Sequence, residues 1–241
     1  MPCVDLNCDL GEGAGQDEAI MPFLTSANIA CGAHAGDEAT MRHVAALARS
    51  QGVAVGAHPG FVDREHFGRR ELPLSPAEIH ALVKDQVAAL QGIAAVRHVK
   101  PHGALYNLSA RDAQVARAVA EAVRACDPGL LLFGLAGSVS LEAGRAAGLR
   151  VVSEVFADRS YQPDGTLTPR ARTGALVETE YAMLSQAREM VLRQRVRAVD
   201  GTWVALKAET ICLHGDGPQA AVFARRLSEA LKKAGVRLSA W

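Results

Sequence analysis

Neither sign of charge prevails in this sequence: 26 lysines and arginines stand against 26 aspartates and glutamates. A chain with no basic or acidic excess lacks the electrostatic footprint of a nucleic-acid or anionic-membrane binder, so neither partner is expected. Cysteine is sparse and does not pair by spacing. Cys3, Cys8, Cys31, Cys126 and Cys212 are odd in number, and no CxxC occurs. Secreted disulfide scaffolds are short and cysteine-dense, so all five read as reduced thiols. No apolar run approaches the ~18 residues of a transmembrane helix. The opening Met-Pro-Cys-Val-Asp passes straight into a strand pattern, without the basic and apolar regions of a signal peptide. These absences point to the cytoplasm. Low-complexity segments, long linkers and fixed-period repeats are also missing. So are HExxH, GxSxG, the Walker A loop and a GxGxxG after a strand. Any metal would therefore need dispersed ligands.

What is present is ordinary globular composition, 49% hydrophobic and 22% charged, over 241 residues. That length suits one large α/β domain or two small ones. Short apolar runs recur at Val4–Leu6, Ala27–Ala30, Val53–Ala57, Val96–Val99, Leu130–Leu135, Val151–Val155 and Thr210–Leu213. They are nearly continuous rather than alternating, as in strands buried on both faces. Helical patterns fall between them. Ser75-Pro76-Ala77-Glu78 reads as a capping box with proline at the first helical position, followed by Ile79, Leu82, Val83, Val87 and Leu90 on one face. Asp37 is placed to cap a helix burying Met41, Val44, Ala45 and Ala48. Gly217-Pro218 opens a last helix with Val222, Leu227 and Leu231 inside, Lys232 and Lys233 in its final turn and Gly235 at its end. Weaker patterns span roughly 112–125, 139–147 and 179–195. Strands alternating with helices imply a parallel α/β fold, either an open doubly wound sheet or a distorted barrel.

The chemistry lies just beyond each run: Asn7-Cys8-Asp9-Leu10-Gly11-Glu12, then His34 in Cys31-Gly32-Ala33-His34-Ala35-Gly36-Asp37 after Asn28. Next come His58-Pro59-Gly60 with Asp63 behind, Lys100-Pro101-His102-Gly103, Asp158-Arg159 and His214-Gly215-Asp216. In α/β folds ligands bind beyond the carboxyl ends of the strands, where these residues would gather. Taken singly, most have bland readings. Asp37 is a helix cap. Asp5 and Asn28 can bond neighbouring backbone. Tyr106 and Tyr161 can be packing residues with satisfied hydroxyls, and Cys8, Cys31 and Cys212 small buried hydrophobes. Taken jointly, four of eight histidines (His34, His58, His102 and His214) each follow a separate run beside glycine, whereas His43, His66, His80 and His98 do not. Two chemistries suit that set: general acid–base catalysis, or a divalent metal held from neighbouring strands. Lys100, Arg69, Arg70, Arg159 and Arg170 lie in or near the same loops and could hold a carboxylate or phosphate.

DLNCDLGEG, SANIACGAHAGD, GAHPGFVD, FGRR, KPHGALYN, EVFADRSY and CLHGD, in that order, resemble the LamB/YcsF family over nearly the whole chain. Ala33 departs from the pattern, which expects a larger residue such as Phe or Tyr before His34. The resemblance implies a single domain, 1–241, folded as an irregular seven-stranded β/α barrel like those of glycoside hydrolases and deacetylases. It implies the A component of an ATP-dependent 5-oxoprolinase, opening 5-oxo-L-proline to L-glutamate together with subunits B and C. Carried over by motif, Asp9, His34, His58, Lys100, His102 and His214 are the expected catalytic residues, with Asp9 or His58 as base and Lys100 holding an anion. Asn7, Glu12, Asn28, Arg69, Arg70, Asp158, Arg159 and Asp216 are the expected substrate- or phosphate-binding residues. The expected cofactor is ATP; a divalent metal, as magnesium with ATP or as an ion in the site, stays open, as does a homo-oligomer. Two alternatives stand beside this reading: a metal-dependent deacetylase or hydrolase acting on a sugar or amide, and a non-catalytic subunit that binds substrate for its partners.

Overall fold

The computed structural model describes residues 1–214 and 219–241. Strand β1 (Cys3–Leu10) leads through a short helix α1 (Asp17–Ile20) to β2 (Ser26–Ala30), then α2 (Glu38–Gln51), β3 (Ala54–His58), α3 (Pro76–Gln91) and β4 (His98–Val99). Two helices follow, α4 (Gly103–Arg111) and α5 (Ala113–Cys126), then β5 (Leu131–Leu135), α6 (Val139–Ala146), β6 (Arg150–Phe156) and α7 (Glu180–Arg193). A small antiparallel hairpin, β7 (Arg195–Arg197) and β8 (Trp203–Ala205), precedes β9 (Thr210–Leu213), α8 (Ala220–Lys233) and β10 (Arg237–Leu238).

Strands β1, β2, β3, β4, β5, β6 and β9 pair in that order, all parallel, and β9 returns to β1. That last pairing, Asp5 to Thr210 and Asn7 to Cys212, closes the sheet and decides for the barrel over the open sheet. All seven apolar runs become barrel strands. The sequence reading lacked α1, α4, the β7–β8 hairpin and β10. Each is short, and only the hairpin carries a strong local signal, Asp200-Gly201 at its turn.

The helix signals behave as expected. Asp37 accepts the Thr40 amide, and Gly52 ends α2 in the left-handed region at φ 69°. Ser75 and Glu78 close a reciprocal capping box on α3. One expectation fails: Val222, assigned to the buried face of α8, is 43% exposed. The buried stripe of α8 is Ala220, Ala224, Leu227, Ser228 and Leu231, and position 222 lies about 160–180° around the helix from 220, 224 and 231. Gly217 and Pro218, expected to open this helix, lie outside the described residues, as does Asp216.

The apolar core lies between barrel and helices, where Val4, Leu6 and Leu10 join Ile20, Val44, Val83 and Leu227. The alternate residues of β1, Asp5, Asn7 and Asp9, are buried as well. Side chains of a strand alternate between faces, so this second set enters the barrel. Barrels of this kind usually fill their interior with branched apolar side chains. Here Leu131, Phe133 and Val152 form only a small separate cluster. Beside it lie buried polar groups, among them Asp5, Asn7, Asn28, Lys100 and Glu154. His98 on β4 crosses the interior to Asn28, and Gly56 makes room for it: a Cβ at Gly56 would stand 2.0 Å from His98 Nε2.

Candidate active site

The polar interior is a connected network. His98 Nε2 meets Asn28 Oδ1 at 2.7 Å, so the ring donates there. Asn28 Nδ2 donates to Asn7 Oδ1 and Asp9 Oδ1, and Asn7 Nδ2 donates to Glu154 Oε1 and Thr210 Oγ1. Lys100, only 2% exposed, ends among these groups. Its Nζ lies 2.8 Å from Asp9 Oδ1, 3.2 Å from Glu154 Oε1 and 3.0 Å from Cys212 Sγ. A buried ammonium is tolerable only with such partners. Burial works against its charge, but Asp9, Cys212 and Glu154 outweigh that and hold its pKa well above the usual lysine value. Burial also opposes ionisation of Asp9, and there His58 and Lys100 prevail, holding the carboxyl well below the carboxylate range.

Above this floor three imidazoles pack together. His34 stacks on His102 with centroids 3.7 Å apart, and His58 stands edge-on to both. Gly60 permits the packing, since a Cβ there would lie 2.7 Å from His34 Nδ1. Backbone carbonyls set the orientation of two rings. His58 Nδ1 lies 2.7 Å from Lys100 O, and His102 Nε2 lies 2.8 Å from Phe67 O. Glu12 Oε1 reaches 3.1 Å from both His34 Nε2 and His102 Nδ1, and His58 Nε2 lies 3.3 Å from Asp9 Oδ2. Burial lowers the pKa of His34 to about 4 and lowers that of His102, whereas at His58 it is overcome by Asp9, which raises the value. Glu12, His34, His58 and His102 each offer a ligand atom within 4.8 Å of the others, and Asp9, Cys212 and His214 do the same.

Asp9, Glu12, His58, Lys100, His102 and His214 line one cleft of about 710 Å³, with Arg69, Arg159, Arg170 and Arg172 on its walls. His34 sits directly behind His102, so the four histidines at strand ends do share one site. His214 is fixed by Asp158, which accepts from both its backbone nitrogen and its ring at 3.0 and 2.9 Å. Arg159 is buried and donates to the carbonyls of Thr168 and Ala175, tying down the loop before α7. Burial and the adjacent Arg170 lower its pKa to about 10.

Several expectations need correction. Arg70 does not line the cleft; its half-exposed guanidinium pairs with Asp63 at 3.2 Å. Lys100, expected to hold a substrate anion, already has its charge shared between Asp9 and Glu154. Asn28 bonds side chains, not neighbouring backbone, and Asp5 accepts from the hydroxyls of Thr25, Ser26 and Thr210. Cys212, read as a packing thiol, touches the Lys100 ammonium. Tyr161 is a packing residue whose hydroxyl accepts from Phe156 N. Tyr106 differs: on the cleft wall beside Glu154, its hydroxyl makes no hydrogen bond of good geometry among the described residues.

Three contributors escaped the sequence reading. Glu154 lies two residues before the end of an apolar strand, and His98 two residues before Lys100. The two-residue period from Lys100 and Phe156 would have placed both inside the barrel. Phe67 holds His102 through its carbonyl from a left-handed conformation, φ 56°, which is uncommon for a bulky residue. No local signal marks it beyond the following glycine.

Known proteins agree with this architecture. The chain is 46% identical to the lactam utilization protein of Thermus thermophilus, whose crystal structure superposes with a TM-score of 0.93 over 99% of this chain and 100% of that one. More distant likenesses concern the fold alone. A peptidoglycan deacetylase from Bacillus subtilis gives a TM-score of 0.52 at 13% identity, covering 99% of this chain and 87% of that one. A truncated 3-deoxy-D-arabino-heptulosonate 7-phosphate synthase from Thermotoga maritima gives 0.51 at 9%, covering 99% and 90%. The model of the LamB/YcsF family matches residues 4–241, and the chain belongs to that family.

Proposed function

We propose that this chain carries the ring-opening site of an ATP-dependent 5-oxoprolinase, acting with two partner subunits, B and C. The supporting observation is the Asp9–His58 pair at the base of an arginine-walled cleft, in a chain 46% identical to a lactam utilization protein. Opening a lactam requires water to add at the carbonyl carbon, the C–N bond to break and the nitrogen to gain a proton. The amide resists water because resonance lowers its electrophilicity. Phosphorylating the carbonyl oxygen with ATP removes that resonance: water adds at the imidate carbon, the C–N bond breaks as the nitrogen gains a proton, and a second water hydrolyses the resulting acyl phosphate to glutamate and phosphate.

His58 takes the proton from water in this reading. Lys100 O fixes its Nδ1, and Asp9 stabilises the imidazolium that forms. Asp9 stays ionised and serves as the partner of His58, with Lys100 and Asn28 holding its other oxygen. The substrate carboxylate or a phosphoryl group is held by Arg159 and Arg170 on the cleft wall. Catalysis then rests on positioning and fixed charge in a site largely shielded from water.

The test is a coupled assay for ADP and glutamate on 5-oxo-L-proline, with the chain alone and with both partners. Turnover with partners present, abolished in His58→Ala, is the expected result. No glutamate from the complete mixture, or full rate in His58→Ala or Asp9→Asn, sinks the assignment.

A further inference from the structure

The three imidazoles pose a question of proton count. A carbonyl oxygen can only accept, so His58 carries its hydrogen on Nδ1, toward Lys100 O, and His102 carries its hydrogen on Nε2, toward Phe67 O. As neutral rings, both then point a lone pair inward. His58 Nε2 and His102 Nδ1 are 3.0 Å apart, and His102 Nδ1 is 3.1 Å from the acceptor Glu12 Oε1. Glu12 Oε1 lies 3.6 Å from His58 Nε2. Acceptors do not converge in a buried site without something positive among them.

One proton does not resolve the geometry. Placed on His58 Nε2, it satisfies the contact with His102 and leaves His102 Nδ1 facing Glu12. Placed on His102, it leaves His58 facing Asp9 and Glu12 in the same way. A proton on His34 Nε2 reaches Glu12 and neither of the other rings. An ion at the centre serves the lone pairs of His58 and His102 and the Glu12 oxygen at once, while His34, stacked parallel on His102 at 3.7 Å, lies in another plane and donates to Glu12 instead. Metal bonds of about 2.0–2.1 Å put adjacent ligand atoms about 2.9–3.4 Å apart, for angles from 90° to tetrahedral. Among Glu12 Oε1, His58 Nε2 and His102 Nδ1 the separations are 3.0, 3.1 and 3.6 Å.

We propose that Glu12 Oε1, His58 Nε2 and His102 Nδ1 form a binding site for a first-row divalent transition ion, of which zinc is the simplest occupant, with His34 Nε2 donating to Glu12 from behind. Two imidazole nitrogens and one oxygen, with a position left open, suit zinc or its neighbours rather than magnesium or calcium, which take oxygen ligands. Outer-shell bonds from ligand imidazoles to backbone carbonyls are the usual way such rings are aimed, and His58 and His102 both have them. The ligands come from three different strand ends, so the site exists only in the folded barrel. The other group of ligand atoms, Asp9, Cys212 and His214, is excluded by the Lys100 ammonium, which lies 2.8 and 3.0 Å from two of its three members. This site goes beyond the ring-opening reading and shares one atom with it: an ion on His58 Nε2 occupies the lone pair that would take the proton from water, so in a metal-loaded chain Asp9 would be the base of that reading.

The experiment uses the full chain without substrate. Metal content is measured after purification and again after chelation and reloading with zinc or cobalt. The expected result is one equivalent per chain, a lower Tm after chelation and visible cobalt bands of a nitrogen- and oxygen-ligated site. His102→Ala and Glu12→Gln should each weaken zinc binding by at least about a hundredfold, more than outer-shell changes typically do. Circular dichroism confirms that they fold, and Glu12→Gln alters only one atom. His214→Ala should keep its equivalent. Less than a tenth of an equivalent in reloaded protein overturns the proposal. So does binding unchanged by both ligand variants, or binding lost in His214→Ala. A metal-free chain that opens a lactam with its partners would remove the metal and leave the proposed function standing. A chain that binds zinc yet opens no lactam would do the reverse.

Discussion

Lys100 and Arg70 are both cations placed by loops or strand ends near one cleft, and they live under different rules. Lys100 is sealed in the barrel floor with Asp9, Glu154, Asn7 and Cys212 within 3.4 Å. Arg70 sits at the rim with one carboxylate partner and water around the rest. In the floor each charge exists because another is fixed beside it, so removing one exposes the desolvation cost of the others. At the rim water replaces whatever is taken away. The floor therefore fixes geometry, and the wall between carries Arg159 and Arg170.

The strongest break of this contrast is Lys100→Met. It leaves Asp9 and Glu154 buried without their cation, and the expected loss is about 3–5 kcal/mol of stability. Urea unfolding measures it. A loss below about 1 kcal/mol would show that the floor is not charge-locked. Gly56→Ala attacks the same layer by volume. The added methyl meets the His98 ring head-on, and overpacking of this kind costs about 1–3 kcal/mol. His98→Ala on top of Gly56→Ala should recover part of that loss, because the obstacle is gone.

A smaller effect reads the floor through pH. Burial lowers the His98 pKa from 6.5 to about 3. Between these values the unfolded chain takes a proton that the folded chain refuses. Stability from this residue is complete above pH 6.5 and is lost as pH falls toward 3, with a slope of up to about 1.4 kcal/mol per pH unit. His98→Gln retains an amide donor for Asn28 and cannot titrate. Chemical unfolding at several pH values should show its stability falling less steeply with acid than the parent's. Parallel curves would mean that His98 takes up protons in the folded state.

Much of this contrast is legible in the sequence. Seven apolar runs marked seven barrel strands, and polar residues after them marked the open end of the barrel. The floor was less legible, because its polar residues lie within the runs rather than after them. Asn7 and Asn28 were found through the motifs. Glu154 and His98 were not, since a run that mixes inward polar and outward apolar residues reads as a weak strand and nothing more. Barrel closure was legible only through family resemblance: pairing of β9 with β1 joins residues about 200 positions apart, and periodicity holds no record of it. At the rim the opposite error arose. Arg69 and Arg70 are adjacent in sequence, yet one lines the cleft and the other turns to Asp63, and no spacing rule separates two neighbours in a loop.

That pair supplies the mildest test. Arg70→Ala removes a pair that is 56% exposed on the arginine side, worth about 0.2–1 kcal/mol or less. Asp63 keeps His66 as a partner at 3.0 Å, so no buried carboxylate is stranded. Because Arg70 does not face the cleft, KM for 5-oxo-L-proline should stay within about twofold of the parent. Arg159→Lys is the informative counterpart. It preserves the charge but removes the planar fork that holds Thr168 O and Ala175 O while facing the cleft. Its KM should rise by roughly tenfold, the equivalent of about 1.4 kcal/mol. If Arg70→Ala raised KM as much as Arg159→Lys does, the boundary between wall and rim would lie in the wrong place, and the anion would have to be sought on the Asp63 side of the loop.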